Sequence, residues 1–153
     1  MRLTAALCLA LAGAAAFAQD VPSSWKGFQA SSVKGDKELV AKIEKAKWWD
    51  NCIAWGAEAR KKSKSRRMWA LQEFLNSGKY INGQDLGAVT GKRPEIGMTT
   101  CGALAVLGAP SDQNVTQGSW GTRVQYVWRE RRIYVYTETR TGDGNAPVTS
   151  IQF

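Results

Sequence analysis

Two hydrophobic periods divide the chain. Between residues 36 and 57, apolar residues recur at spacings of three and four, which predicts one amphipathic helix with Asp36 as its cap. After residue 122 the period shortens to two, and "RVQYVWR", "RIYVYTET" and "PVTSIQF" are typical of β-strands. The order of these patterns predicts an α+β fold: N-terminal helices, then a short helix and a three-stranded antiparallel sheet.

Two more helices carry signals at both ends. Ser65 can cap a helix over residues 66–77 that Gly78 terminates, and Thr99 can cap a short helix that ends at Gly108. Residues 79–94 are rich in turn-forming residues and predict a link with one helical turn around residues 85–89. The predicted chain is therefore a helical extension over residues 36–93 followed by a domain over residues 94–153.

The strand pattern also assigns side chains to two sheet faces. If residues 129–132 form a hairpin tip, Trp128 pairs with Ile133, Tyr126 with Val135 and Val124 with Thr137, and this apolar face meets the helices. In the last strand, Ile151 and Phe153 are expected inside, and Val148, Ser150 and Gln152 outside. The candidate binding residues, led by the two tyrosines, lie on the opposite face: Gln125, Val127, Tyr134, Tyr136 and Gln152.

That outer face has a second interpretation, in which the helical extension or the N-terminal arm covers it. The arm is residues 19–35, a Ser- and Gly-rich segment expected to be extended. Three tryptophans fall off the strongest apolar stripes and are candidate surface anchors: Trp48, Trp55 and Trp120. The competing expectation is that tryptophans complete the core.

The N-terminus has the features of a cleavable secretory signal. Arg2 precedes an almost uninterrupted Ala- and Leu-rich run, and Ala16-Phe17-Ala18 is a small-x-small cleavage site. We expect a cut after Ala18, hence a periplasmic or secreted protein. Lipidation at Cys8 is not expected, because Leu7 stands where a lipoprotein signal requires Gly or Ala.

Cleavage leaves two cysteines, Cys52 and Cys101. In an oxidising compartment an even count favours a disulfide, and closing a 49-residue separation stabilises the fold by about 4 kcal/mol in the chain-entropy model. Two separate buried thiols are the alternative. A metal site is not expected, because the mature chain has no histidine and only these two thiols, and no other cofactor is expected, because the sequence has no phosphate-loop or dinucleotide-binding motif.

The predicted mature chain is basic. Loss of Arg2 leaves 20 basic and 13 acidic residues, a net charge of +7. This charge favours anionic partners or simply keeps the protein soluble, and export argues against nucleic acid. The densest positive segment, "RKKSKSRR", is expected to be a solvated connector or to attract anionic lipid or polymer through its cations: Arg60, Lys61, Lys62, Lys64, Arg66 and Arg67.

The C-terminal segments also resemble a known family. "IGMTTCGALAVLGAP", "GTRVQYVW", "YVYTE" and the terminal "VTSIQF" resemble the SmpA/OmlA (BamE-like) domain, a unit that is repeated in the β-lactamase inhibitory protein. The resemblance covers about residues 94–153. It implies helices packed on one face of a small antiparallel sheet, no catalytic residues, and a role in scaffolding outer-membrane assembly or binding other proteins.

The chemistry of the sequence favours binding over catalysis. Without histidine there is no imidazole base, and the chain has no G-x-S-x-G, phosphate-loop or dinucleotide-binding motif. The leading hypothesis is a non-catalytic module of the bacterial periplasm that binds another envelope protein or scaffolds the envelope. The alternatives are a cationic protein that binds anionic membrane surfaces or polymers, and a small hydrolase that works without histidine.

Overall fold

The computed structural model describes residues 37–153, which form five α-helices followed by a four-stranded antiparallel sheet. The expected signal peptide, the arm over residues 19–35 and the Asp36 cap lie outside these residues. The α+β class is as predicted. The helices are α1 Lys37–Lys45, α2 Trp48–Ala59, α3 Arg66–Ser77, α4 Gly83–Gly91 and α5 Thr100–Leu107; the strands are β1 Asp112–Gly118, β2 Gly121–Trp128, β3 Ile133–Thr139 and β4 Val148–Gln152.

The sheet is a meander in the order β1-β2-β3-β4. The predicted pairing of β2 with β3 is confirmed: Trp128 lies opposite Ile133, Tyr126 opposite Val135 and Val124 opposite Thr137. The prediction of three strands was wrong, because β1 adds a fourth at the edge. All seven β1 residues are exposed, so "DQNVTQG" carries no apolar alternation that could reveal a strand.

A bulge changes the expected faces of β4. Val148 lies opposite Thr137 and Ser150 opposite Tyr136, so β4 has one extra residue between two positions that are consecutive on β3. Val148 is therefore buried on the helix side, where we expected it outside, and Ile151 lies opposite Val135 on the same side, as predicted. Phe153, which we expected inside, is 81% exposed because it follows the last paired residue.

The single helix predicted over residues 36–57 is also wrong, because the structure has two. Lys47 has an extended backbone and precedes the first residue of α2, so the chain breaks its helical path after α1. The Asn51 side chain donates a hydrogen bond of 2.8 Å to the Ile43 carbonyl across this break. The apolar spacing continued through the break, since both helices turn that stripe toward the same core.

The link over residues 79–94 contains more helix than expected. α4 spans nine residues, and a capping box starts it: Asn82 accepts from the Asp85 N–H, and Asp85 accepts from the Asn82 N–H. α3 and α5 have the bounds that their caps predicted, with Ser65 accepting from the Met68 N–H and Thr99 from the Gly102 N–H. Capping residues therefore predicted the ends of α3 and α5, whereas hydrophobic spacing did not predict the break between α1 and α2.

The core centres on α5, whose eight residues are all buried. Cys52 on α2 and Cys101 on α5 form the predicted disulfide, and both are fully buried. One turn further along α2, a Cβ on Gly56 would overlap the Ala105 carbonyl, so this glycine marks a close helix contact rather than a helix end. Within residues 37–153, no helix combines the length and the apolar character needed to cross a membrane.

Candidate functional site

The sheet side that faces away from the helices is the candidate site, and we call it the outer face. All four strands contribute alternate side chains to it, as antiparallel pairing requires. Each binding residue predicted from sequence lies here. The outer face is formed by Asp112, Asn114, Thr116, Arg123, Gln125, Val127, Tyr134, Tyr136, Glu138, Ser150 and Gln152.

A chain of hydrogen bonds crosses the outer face from one edge of the sheet to the other. Asn114 Nδ2 donates to Gln125 Oε1 at 2.9 Å, and Gln125 Nε2 donates to the Tyr136 hydroxyl at 2.8 Å. The Tyr136 hydroxyl in turn donates to Gln152 Oε1 at 2.9 Å. We call these four residues the transverse row. Their mutual bonds restrain four side chains that would otherwise rotate freely in water.

Tyr134 stands beside this row, between its two strand neighbours Val127 and Gln152. Its ring is half-buried, as is that of Tyr136, so each keeps part of its area for a partner. Val127 is only 6% exposed, although it points to the outer face. Its neighbours on the sheet therefore cover the valine, and a partner would touch the Tyr134 ring beside it.

A shallow pocket of about 350 Å³ lies at the end of the outer face next to the β1–β2 turn. Trp120 in this turn is 49% exposed, and the Arg123 guanidinium lies 5.4 Å from the centre of its ring. Arg123 Nε also donates to Glu138 at 2.6 Å. The turn thus holds an exposed aromatic ring against a charged pair; Thr139 and Arg140 complete the pocket wall.

The other two tryptophans proposed as anchors have different positions. Trp55 is fully buried, so its interpretation as a surface anchor was wrong. Trp48 is half-buried and stacks on Tyr80, with 5.7 Å between ring centres. Trp48 lines the edge of a cavity of about 630 Å³ beside the break between α1 and α2, together with Trp49, whose ring packs 5.9 Å from that of Tyr126. These rings join α2 to the sheet and to the α3–α4 connection.

Charges on and beside the outer face occur mainly in pairs. Arg129 Nη2 lies 2.8 Å from Asp112 Oδ2, and Arg123 pairs with Glu138. The hydrogen bond from Arg129 holds the pKa of the exposed Asp112 carboxyl below its usual value. Because opposite charges neutralise one another, rings, amides and hydroxyls dominate what this face offers to a partner.

The cationic run does not form one continuous patch. Residues 60–65 connect α2 to α3, as expected, but several cations have partners inside the protein. Arg60 Nη1 donates to the Ala105 carbonyl at 2.7 Å, and Lys64 donates to the Ala59 carbonyl. Each cation caps the end of a helix, where carbonyl groups lack partners.

Glu58 neutralises two further members of the run. Lys61 Nζ lies 2.8 Å and Arg67 Nη1 3.8 Å from its carboxylate, and Ser65 donates to the same group. The hydrogen bond from Lys61, with that from Ser65, lowers the pKa of Glu58 against the opposing effect of burial. Lys62 and Arg66 are exposed. Because four of the other cations have internal partners, the run as a whole offers less free positive charge than its sequence suggests.

The most perturbed acid lies elsewhere, between α4 and α5. Asp85 accepts from the backbone N–H of Asn82 at 2.6 Å and of Thr99 at 2.7 Å. Burial raises its pKa to about 6 despite these hydrogen bonds. Asp85 is fully buried, and a Cβ on Gly102 would overlap its carboxylate. Its hydrogen bonds to Asn82 and Thr99 tie the starts of α4 and α5 together. Among residues 37–153, no group of three potential metal-binding side chains comes together.

Sequence reasoning missed two parts of the site. Asn114 was missed because β1 was not recognised, and the Trp120 pocket was missed because the turn folds back over Gly118. A Cβ on that glycine would lie 2.5 Å from Trp120 Nε1. The one available signal was the two-residue spacing between Gly118 and Gly121, which is typical of a tight hairpin turn. No family model, curated protein or solved structure matches this chain.

Proposed function

We propose that this protein is an exported, non-catalytic module that binds another envelope protein through the outer face, as a binding partner or a scaffold. The transverse row, with Tyr134 beside it and the Trp120 pocket at one end, is the observation that carries the proposal. It offers rings and hydrogen-bonding groups over the full width of the sheet.

Rigidity is the physical reason to favour binding. A side chain that is already held in place loses little entropy when a partner arrives, so more of the contact energy appears as affinity. Tyrosine adds contact area and a hydroxyl with only two rotatable bonds. The row holds Tyr136 by its hydroxyl on both sides, so its ring is presented in one orientation.

The compartment belongs to the same proposal. The secretory signal is inferred from sequence, and the Cys52–Cys101 disulfide is consistent with an oxidising space such as the periplasm. From the sequence resemblance alone, we further propose that residues 94–153 are an SmpA/OmlA-like domain. The proposed partner is then a protein of the bacterial envelope.

Salt dependence separates this function from cationic surface binding. Ring contacts and neutral hydrogen bonds should persist at high ionic strength, whereas attraction of a basic segment to anionic lipid or polymer should be lost. The internal partners of Arg60, Lys61, Lys64 and Arg67 favour the outer face as the primary site.

The test is capture from a bacterial periplasmic extract by the immobilised mature chain, residues 19–153, at low and high salt. Wild type should retain a defined protein at both ionic strengths, and the double variant Tyr134→Ala/Tyr136→Ala should lose it. Quantitative mass spectrometry of the eluates measures both outcomes.

Phe153→Ala is the matched control, because it removes an exposed ring close to the outer face but outside the transverse row. It should capture the same protein as wild type. Equal capture by the double variant would overturn the proposal. Capture that disappears at high salt, or binding to anionic vesicles instead of protein, would transfer the function to the cationic run.

A further inference from the structure

Strand β1 forms a free edge of the sheet. In the described part of the chain it pairs only with β2, and every one of its seven residues is exposed. Alternate residues of such a strand direct backbone N–H and C=O groups away from the sheet, where another strand can bind them. The opposite edge of the sheet is already partly paired, because Gly97 and Met98 form backbone hydrogen bonds with Val148 at the start of β4.

The β1 edge lacks the features that usually prevent pairing. Natural edge strands carry lysine, proline or an inward-pointing charge, but "DQNVTQG" has none of these. Its one charged residue, Asp112, lies at the end of the strand and pairs with Arg129. At the centre, Val115 is 54% exposed although it points to the helix side, so the helices do not extend beneath β1.

The sequence of β1 is nearly symmetric about Val115. If two copies of the strand run antiparallel with Val115 at the axis, Gln113 of one lies opposite Gln117 of the other. Asn114 then lies opposite Thr116, and Asp112 opposite Gly118. The pairs between residues 113 and 117 are all compatible: an amide with an amide, an amide with a hydroxyl, and two valine side chains that lose exposed apolar area together.

We propose that two copies of this chain pair through β1 in an antiparallel, two-fold arrangement centred on Val115. The result is a continuous eight-stranded sheet with the helices of both copies on one side. Asn114 would lie next to Thr116 of the second copy, so the two outer faces would join into one surface. Since edge pairing alone buries less area than a standard interface, the dimer should be weak and concentration-dependent.

This inference does not depend on the proposed function, because it concerns self-association of the purified protein. Sedimentation velocity of the mature, disulfide-bonded chain should show a monomer–dimer equilibrium from low to high micromolar concentration. Val115→Lys should weaken the dimer by about tenfold, because it places two ammonium groups opposite each other at the axis. Ser150→Lys, which adds the same charge to the other edge strand, should dimerise like wild type.

A pair of double variants tests the register. Gln113→Lys/Gln117→Lys places like charges opposite each other twice and should weaken the dimer, whereas Gln113→Glu/Gln117→Lys places opposite charges there and should strengthen it. Circular dichroism melts identify any variant that fails to fold. A wild-type chain that remains monomeric would overturn the proposal and leave the edge to a strand from elsewhere, and a dimer that ignores all β1 substitutions would overturn it as well.

Discussion

The two faces of the sheet use the same residue type in opposite ways. On the helix side, Tyr126 is 2% exposed, and hydrogen bonds with Thr100 and Thr137 oppose the rise in its pKa that burial causes. On the outer face, the hydroxyl of Tyr136 joins two surface amides across three strands. The first tyrosine completes a core, and the second organises a surface that the fold itself does not need.

This difference separates stability from recognition. A buried polar group without its partner costs free energy, so the hydrogen bonds of the Tyr126 hydroxyl contribute to the stability of the fold. The groups of the transverse row would be hydrated if the row were broken, so their order adds little stability. Ordered polar groups that contribute little to folding are natural candidates for binding, and substitutions should affect the two faces differently.

The largest effect should come from the helix contact behind the buried face. Gly56→Ala places a methyl group against the Ala105 carbonyl and should lower the free energy of unfolding by about 3 kcal/mol, the upper end of the usual cost of overpacking, because the backbone of α2 or α5 must move. Urea denaturation followed by circular dichroism measures the change.

Gly87→Ala is the matched control within α4. A Cβ there meets no atom within 4 Å, so this variant should gain up to about 1 kcal/mol from the better helix propensity of alanine. Equal effects of the two substitutions would show that the contact between α2 and α5 is not tight.

The next effect is the pH dependence that Asp85 gives to the free energy of unfolding, which should not exceed about 3 kcal/mol. Its pKa is raised to about 6 in the folded protein, from 3.8. The stability that this group contributes is therefore fully present below about pH 4 and is lost as the pH rises through about 6. The free energy of unfolding of wild type minus that of Asp85→Asn should fall over this range.

The comparison with Asp85→Asn removes the contribution of every other carboxyl group, including Glu58, whose lowered pKa gives the opposite slope. The lost hydrogen bonds of the variant add an offset that does not depend on pH. Asp112→Asn serves as the control, because the pKa of this exposed carboxyl is lowered: its difference should stay level or rise slightly as the pH increases, and should not fall. A difference for Asp85→Asn that also fails to fall would contradict the raised pKa.

The smallest effects come from the two tyrosines and test the comparison directly. Tyr126→Phe should cost about 1–3 kcal/mol of unfolding free energy, because it leaves buried hydroxyl groups of Thr100 and Thr137 with fewer partners. Tyr136→Phe should cost less than about 1 kcal/mol, because water can replace the bonds to Gln125 and Gln152. Thermal and urea unfolding of both variants would reveal the difference, and equal losses would mean that both faces contribute to stability.

Local signals predicted much of this fold because they act over a few residues. Ser65 and Thr99 start helices where their side chains can accept a backbone hydrogen bond, and the alternation in β2 and β3 set their register correctly. The same local reasoning failed for β1, since an exposed edge strand needs no apolar face. It failed again at Trp55, whose burial depends on how α2 packs against the rest of the core.

The candidate site was predicted in part for the same reason. Alternation placed Tyr134, Tyr136 and Gln125 on one face, but it could not show that hydrogen bonds join them or that Asn114 extends the row. Nor could the density of positive charge in residues 60–67 show that Glu58 and helix carbonyls engage several of those cations.

By itself, then, the sequence determined the caps of α3 and α5, the pairing of β2 with β3, the cysteine pair and the side chains that β2 and β3 place on the outer face, because each depends on neighbours in the chain or on a simple period. The tertiary structure alone decided the break between α1 and α2, the bulge in β4, the edge position of β1 and the folding of Trp120 over its turn. Those features depend on which surfaces remain to be covered once the helices have packed on the sheet, and no local pattern contains that information.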